Sequence, residues 1–137
     1  MNIIELLESK KDNFEKIKDL AVRQEKLVND DLMRDYLQLS EKREHLKNEI
    51  DAENKKYRHL VEGAGKKEKE KATSINRKIS EVIESIIDVD KRIEKLVNEK
   101  KKDVLDEIKS LKMGKTAVKG YGNKKAQAQP RFIKTVG

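Results

Sequence analysis

Residues 72–96 read ATSINRKISEVIESIIDVDKRIEKL, and the spacing within them decides the fold. Ala72, Ile75, Ile79, Val82, Ile86, Val89, Ile93 and Leu96 recur at intervals of 3,4,3,4,3,4,3. Such a run is a heptad seam: one apolar stripe on a helix whose other faces are charged. Ile83, Ile87 and Val97 lie off that stripe, so this helix carries more apolar surface than one partner helix can cover.

Upstream, Leu32, Tyr36, Leu39, Leu46, Ile50, Tyr57 and Leu60 follow a matching seam, interrupted by Arg43 and Glu53. Further upstream Ile3, Leu7, Phe14, Ile17, Ala21 and Val28 run in another phase, interrupted by Lys10 and Gln24. The step from Val28 to Leu32 is a four-residue stutter. Between the halves stand Gly63-Ala64-Gly65, the only glycines before residue 114. Each weakens a helix by about 1 kcal/mol, so the pattern predicts a turn there.

Folding back at Ala64 pairs Leu32 with Leu96, Tyr36 with Ile93, Leu39 with Val89, Leu46 with Val82, Ile50 with Ile79 and Tyr57 with Ala72. Extended further, the register sets Ala21 against Ile108 and Ile17 against Leu111. The reading is all-α: a long antiparallel helical hairpin over residues 1–112, turning at 63–65, with a flexible basic tail over 113–137. Its helices would be about 90 and 70 Å long at 1.5 Å per residue. The alternative is a shorter bundle, bent near Asn29-Asp30-Asp31 and Asn98-Glu99-Lys100, because Asn and Asp favour local interruptions.

Composition agrees. The 137 residues are 43% charged and 4% aromatic, which suits thin helical structures and not a β-sandwich. No apolar run approaches the ~18 residues of a transmembrane helix. The start, Met1-Asn2-Ile3-Ile4-Glu5, lacks the cationic and apolar regions of a signal peptide, so a cytoplasmic location is expected. With no cysteine there is no disulfide, thiol catalysis or Cys-ligated zinc.

The net charge of +7 is unevenly distributed. Residues 1–112 hold 27 Lys/Arg against 26 Asp/Glu, whereas residues 113–137 hold six cations and no acid. Six cations with Tyr121 and Phe132 among them suit salt-dependent nucleic-acid binding. A basic-tailed coiled coil that binds nucleic acid, or acts as a structural spacer or assembly subunit, is therefore the alternative function.

Nothing points to an enzyme, a cofactor or a small-molecule substrate. His45 and His59 are 14 residues apart on one helix, about 21 Å by helical rise, too far to share a metal. Gly114-Lys115-Thr116 ends like a phosphate loop, but Lys109 stands where the first glycine belongs and a helix precedes it. Gly65-Lys66 fails the same test, with Lys67 in place of Ser or Thr.

The tail itself reads SLKMGKTAVKGYG over residues 110–122 and PRFIKTVG over 130–137. A long helical hairpin, then a GK-x-A-V-x-GY segment, then an RFI terminus, resembles the flagellar type III export chaperones of the FlgN/FliT class. Relatives with this tail usually end in Arg-Phe-Ile-Asp and basic residues; Lys134, Thr135 and Val136 depart from that. The resemblance implies a cytoplasmic chaperone that binds the terminal helix of hook-associated (hook–filament junction) or filament cap proteins. It would prevent premature assembly and deliver the client to the export gate, with Tyr121 at the position implied to contact the gate. No membrane insertion is implied, and homodimerisation remains open.

A client helix needs apolar anchors at i, i+3, i+4 and i+7. Ile3, Leu7, Phe14 and Ile17, opposite Val97, Val104, Ile108 and Leu111, are the expected client-binding groove at the open end of the hairpin. The same register sets Tyr121 against Leu7, so the tail is expected to cover the empty groove.

Overall fold

The computed structural model describes residues 2–114 and contains three helices: α1 (Ile3–Asn29), α2 (Met33–Glu62) and α3 (Lys66–Gly114). The turn at 63–65 separates α2 from α3 as the sequence predicts. The upstream half, however, is not one helix. It breaks at residues 30–32, and α1 folds back to make a bundle, the bent alternative. No matching bend occurs near residue 98, and α3 runs unbroken for 49 residues, about 73 Å.

The break is built by local hydrogen bonds. Asp31 adopts φ of 60°, the left-handed conformation that non-glycine residues rarely take. Its N–H donates to the Val28 carbonyl at 3.1 Å, and the Leu32 N–H reaches back to the Leu27 carbonyl at 2.8 Å. This is a Schellman ending, with aspartate where glycine is usual. It satisfies the last carbonyls of α1 and reverses the chain. At the other end Asn2 caps α1, its side-chain oxygen accepting from the Glu5 N–H at 2.9 Å.

The fold-back decides the packing. α1 lies against both α3 and α2, running parallel to the first and antiparallel to the second. At the turn end Ile3 and Leu7 pack with Ala72, Ile75 and Ile79, flanked by Tyr57 and Leu60. In the middle Ile17 meets Ile50 and Ile86, flanked by Leu46 and Val82. At the loop end Ala21 and Val28 join Tyr36, Val89, Ile93 and Val97. Of the seam pairs predicted between α2 and α3, Tyr36 and Ile93, Leu46 and Val82, and Tyr57 and Ala72 share clusters. Ile50 and Ile79 fall in different ones, Leu39 is in none of them and Leu32 is 48% exposed, because α1 packs between the two helices. The extended register fails: Ala21 and Ile17 contact the middle of α3, because the stutter at 28–32 is a chain reversal. It also explains the surplus apolar surface of α3, since α1 covers Val97 and packs near Ile83.

Fully burying a side chain such as Leu7 or Val28 contributes about 1.5–3 kcal/mol. Beyond Lys100, which bonds the Asn29 carbonyl and the Asp31 carboxylate, α3 projects past the loop. Its last 14 residues carry it about 21 Å further.

Candidate functional site: an open groove between α2 and α3

The two walls of the site are set by helical spacing. Ser40, Arg43, Glu44 and Lys47 form one row on α2; Ile83, Ile86, Ile87 and Asp90 form another on α3. Because α1 makes the close backbone contacts with both, α2 and α3 leave a seam between them. Phe14 and Ile17 of α1 form its floor, and the cleft measures about 410 Å³. Its base is apolar and its rim charged. Ile87, on the rim, is 47% exposed, a large apolar side chain without cover.

Arg43 spans the seam. Its Nη1 and Nη2 donate to the two carboxylate oxygens of Asp90, each at 2.8 Å. Nη1 also donates to the Gln24 Oε1 at 2.9 Å. Gln24 is fully buried, and its Nε2 donates to the Ser40 Oγ at 2.8 Å and the Tyr36 carbonyl at 3.2 Å. One network thus joins all three helices. A second buried link, 2.7 Å from Asn13 Nδ2 to Glu53 Oε1, ties α1 to α2. Burial lowers the Lys10 ammonium below its usual value, opposed by the nearby Glu53 charge. Burial raises the Tyr36 phenol, opposed by its bond to Ser40. No buried side-chain nitrogen or oxygen among the described residues lacks a partner.

The predicted groove residues are dispersed. Ile3 and Leu7 are core residues at the turn end, 2% and 0% exposed. Val97 is buried at the loop end, while half-buried Val104, buried Ile108 and exposed Leu111 lie on the last turns of α3. By helical rise, about 48 Å separates the α3 level of Leu7, near Ile79, from Leu111. The eight therefore cannot line one groove, because the fold-back carries the start of α1 away from the end of α3. Phe14 and Ile17 alone reach the open seam, as its floor. Leu7 is fully buried, packed in the cluster with Ile3, Ala72, Ile75 and Ile79, and the expected covering contact from the tail falls outside the described residues. Tyr121 lies outside the described residues.

The α3 wall was signalled in the sequence by Ile83 and Ile87, off the main stripe. The α2 wall was signalled by Arg43, a charged residue at a seam position. Among the described residues, no group of three His, Cys, Asp or Glu is placed to hold a metal ion. No helix among them is long and apolar enough to cross a membrane.

The described residues thus form a three-helix bundle whose α2–α3 seam is an apolar groove of the kind that can accept an amphipathic helix. The family model for flagellar protein FliT matches residues 4–123, most of the chain, and the protein belongs to that family. Its members are flagellar export chaperones that bind flagellar proteins, and the family is not an enzyme family. Among curated proteins and solved structures, no significant match is found.

Proposed function

We propose that the protein holds the terminal amphipathic helix of a hook-associated or filament cap protein in the groove between α2 and α3. The observation that carries this reading is the open seam itself. Three helices packed pairwise would bury the row of Ile83, Ile86 and Ile87; here Ile87 stays uncovered beside an apolar floor. A fourth helix laid along the seam would complete a four-helix bundle, placing its i, i+3, i+4 and i+7 side chains on that floor. A held helix cannot join the growing filament, and a groove of this size suits release on delivery. Delivery to the export gate, with Tyr121 as the contact, completes the proposed cycle in the cytoplasm.

Calorimetric titration with flagellar hook-associated and cap proteins, intact and lacking their terminal helices, tests this. Binding to an intact client, lost on truncation, supports the proposal. Absence of binding to all of them contradicts it.

A further inference from the structure

The end of the bundle where α2 turns into α3 carries a charge that the groove does not use. Residues 54–71 hold seven Lys/Arg against three Asp/Glu, whereas the rest of residues 1–112 holds 20 against 23. Lys55, Lys56 and Arg58 come from α2, and Lys66, Lys67 and Lys69 from α3; all are exposed. Ion pairs form elsewhere among the described residues, at Lys11–Glu15, Arg43–Asp90, Arg92–Glu25 and Lys100–Asp31, and none forms at this end.

Local stability does not explain this placement. The start of α3 is the positive pole of its helix dipole, where acids are favoured and lysines are penalised. Three lysines sit within its first four residues. Glu68 in the same turn offsets only one of the three, and a feature that breaks a local rule in this way points to a use outside the chain. By helical rise the six cations lie within about 12 Å of the turn, about one and a half Debye lengths at physiological salt, so a surface facing the turn feels most of them together.

The chemistry narrows the partner. A protein interface needs a desolvated anchor, commonly aromatic, and is depleted in lysine. The apolar residues at this end, Tyr57, Leu60, Val61 and Ala64, are instead packed against the core. Single-stranded nucleic acid is held by successive bases stacking on a row of exposed aromatics, whereas this end offers the exposed His59 and a Tyr57 half-buried against the core, and base readout favours the arginine fork over the lysine point charge. What remains is a surface of mobile anions that rearrange around point charges, each lysine adding its own increment.

We propose that this end of the bundle docks on the anionic face of a phospholipid bilayer, by electrostatics alone and without insertion. The groove, lying midway along the bundle, stays open in that pose. The inference stands independently of what the groove binds.

The test uses the full chain and sedimentation with vesicles of pure phosphatidylcholine, or of phosphatidylcholine with phosphatidylglycerol, at low and high salt. A short DNA duplex is titrated in parallel. The variant K55Q/K56Q/K66Q/K67Q, verified as helical by circular dichroism, is compared with K119Q/K124Q/K125Q/K134Q, which removes the same charge from the tail. Salt-sensitive binding to anionic vesicles, lowered about thirtyfold or more by the first variant, is the expected result. A first variant that partitions like the parent would overturn the proposal, whatever the tail variant does. So would equal binding to both vesicle types, no vesicle binding at all, or binding at this end to the duplex alone.

Discussion

Arg43 of α2 grips Asp90 of α3 through two 2.8 Å bonds while donating a third to the fully buried Gln24 of α1. The pair is the one ion pair joining α2 to α3 among the described residues, and it crosses the open seam. Asp90 is 41% exposed at its side chain, so its loss of a partner is softened by water. Gln24 has no such recourse.

Arg43→Met is therefore expected to destabilise the bundle by about 1–3 kcal/mol, chiefly because the Gln24 Oε1 is left buried without a donor. Asp90→Asn leaves that bond in place and is expected to cost under about 1 kcal/mol. Urea unfolding followed by circular dichroism measures both. Equal costs would show that the Gln24 contact carries none of the difference.

The chain reversal at Asp31 gives a prediction of opposite sign. Glycine accepts φ of 60° without strain, whereas a β-branched side chain does not. Asp31→Gly is expected to be neutral or stabilising by up to about 1 kcal/mol. Asp31→Val is expected to destabilise by about 1–2 kcal/mol. Thermal unfolding of the two variants, compared with the parent, gives the order directly.

The turn at 63–65 behaves differently. Neither glycine has positive φ, and a Cβ added at either would meet nothing within 4 Å. Alanine at Gly63 or Gly65 is thus expected to leave the fold intact and to raise stability by about 0.4–1 kcal/mol, through a less disordered unfolded chain. A melting temperature lowered by several degrees would contradict this.

Lys10 predicts a pH dependence. Burial lowers its folded value below the ordinary 10.5, so the unfolded chain binds more protons in the window just below 10.5. Stability contributed by this group rises with pH across that window. Tyr36 acts in the opposite direction from about pH 10 upward, because burial delays its ionisation in the folded chain. Unfolding free energies measured through the alkaline range should lose the rising limb in Lys10→Met. An unchanged profile in that variant would count against the assignment.

The sequence made much of this legible. The turn at 63–65, the all-α class and the levels at which Tyr36 and Ile93, Leu46 and Val82, and Tyr57 and Ala72 meet follow from two seams that mirror one another, although α1 and not a direct α2–α3 contact fills the space between them. Four polar residues interrupt the seams, and each lies at an interior contact: Gln24 with Arg43, Glu53 with Asn13, and Lys10 beside Glu53. The stutter at Val28–Leu32 was visible as well. Periodicity cannot distinguish a phase slip within one helix from a chain reversal, however, because both displace the stripe by the same few residues. The Asp31 conformation decides between them. That single dihedral carried the start of α1 to the other end of α3, dispersed the predicted groove, and left the α2–α3 seam open in its place.

The most direct test of the groove is client affinity measured by calorimetry for the parent, Ile87→Asp and Leu111→Asp. Both side chains are 47% exposed, so neither change should cost much stability. If the client helix lies between α2 and α3, Ile87→Asp weakens binding at least about tenfold at an unchanged melting temperature, and Leu111→Asp does not. Parental affinity in Ile87→Asp, with binding lost in Leu111→Asp, would contradict the account and place the client on the projecting end of α3.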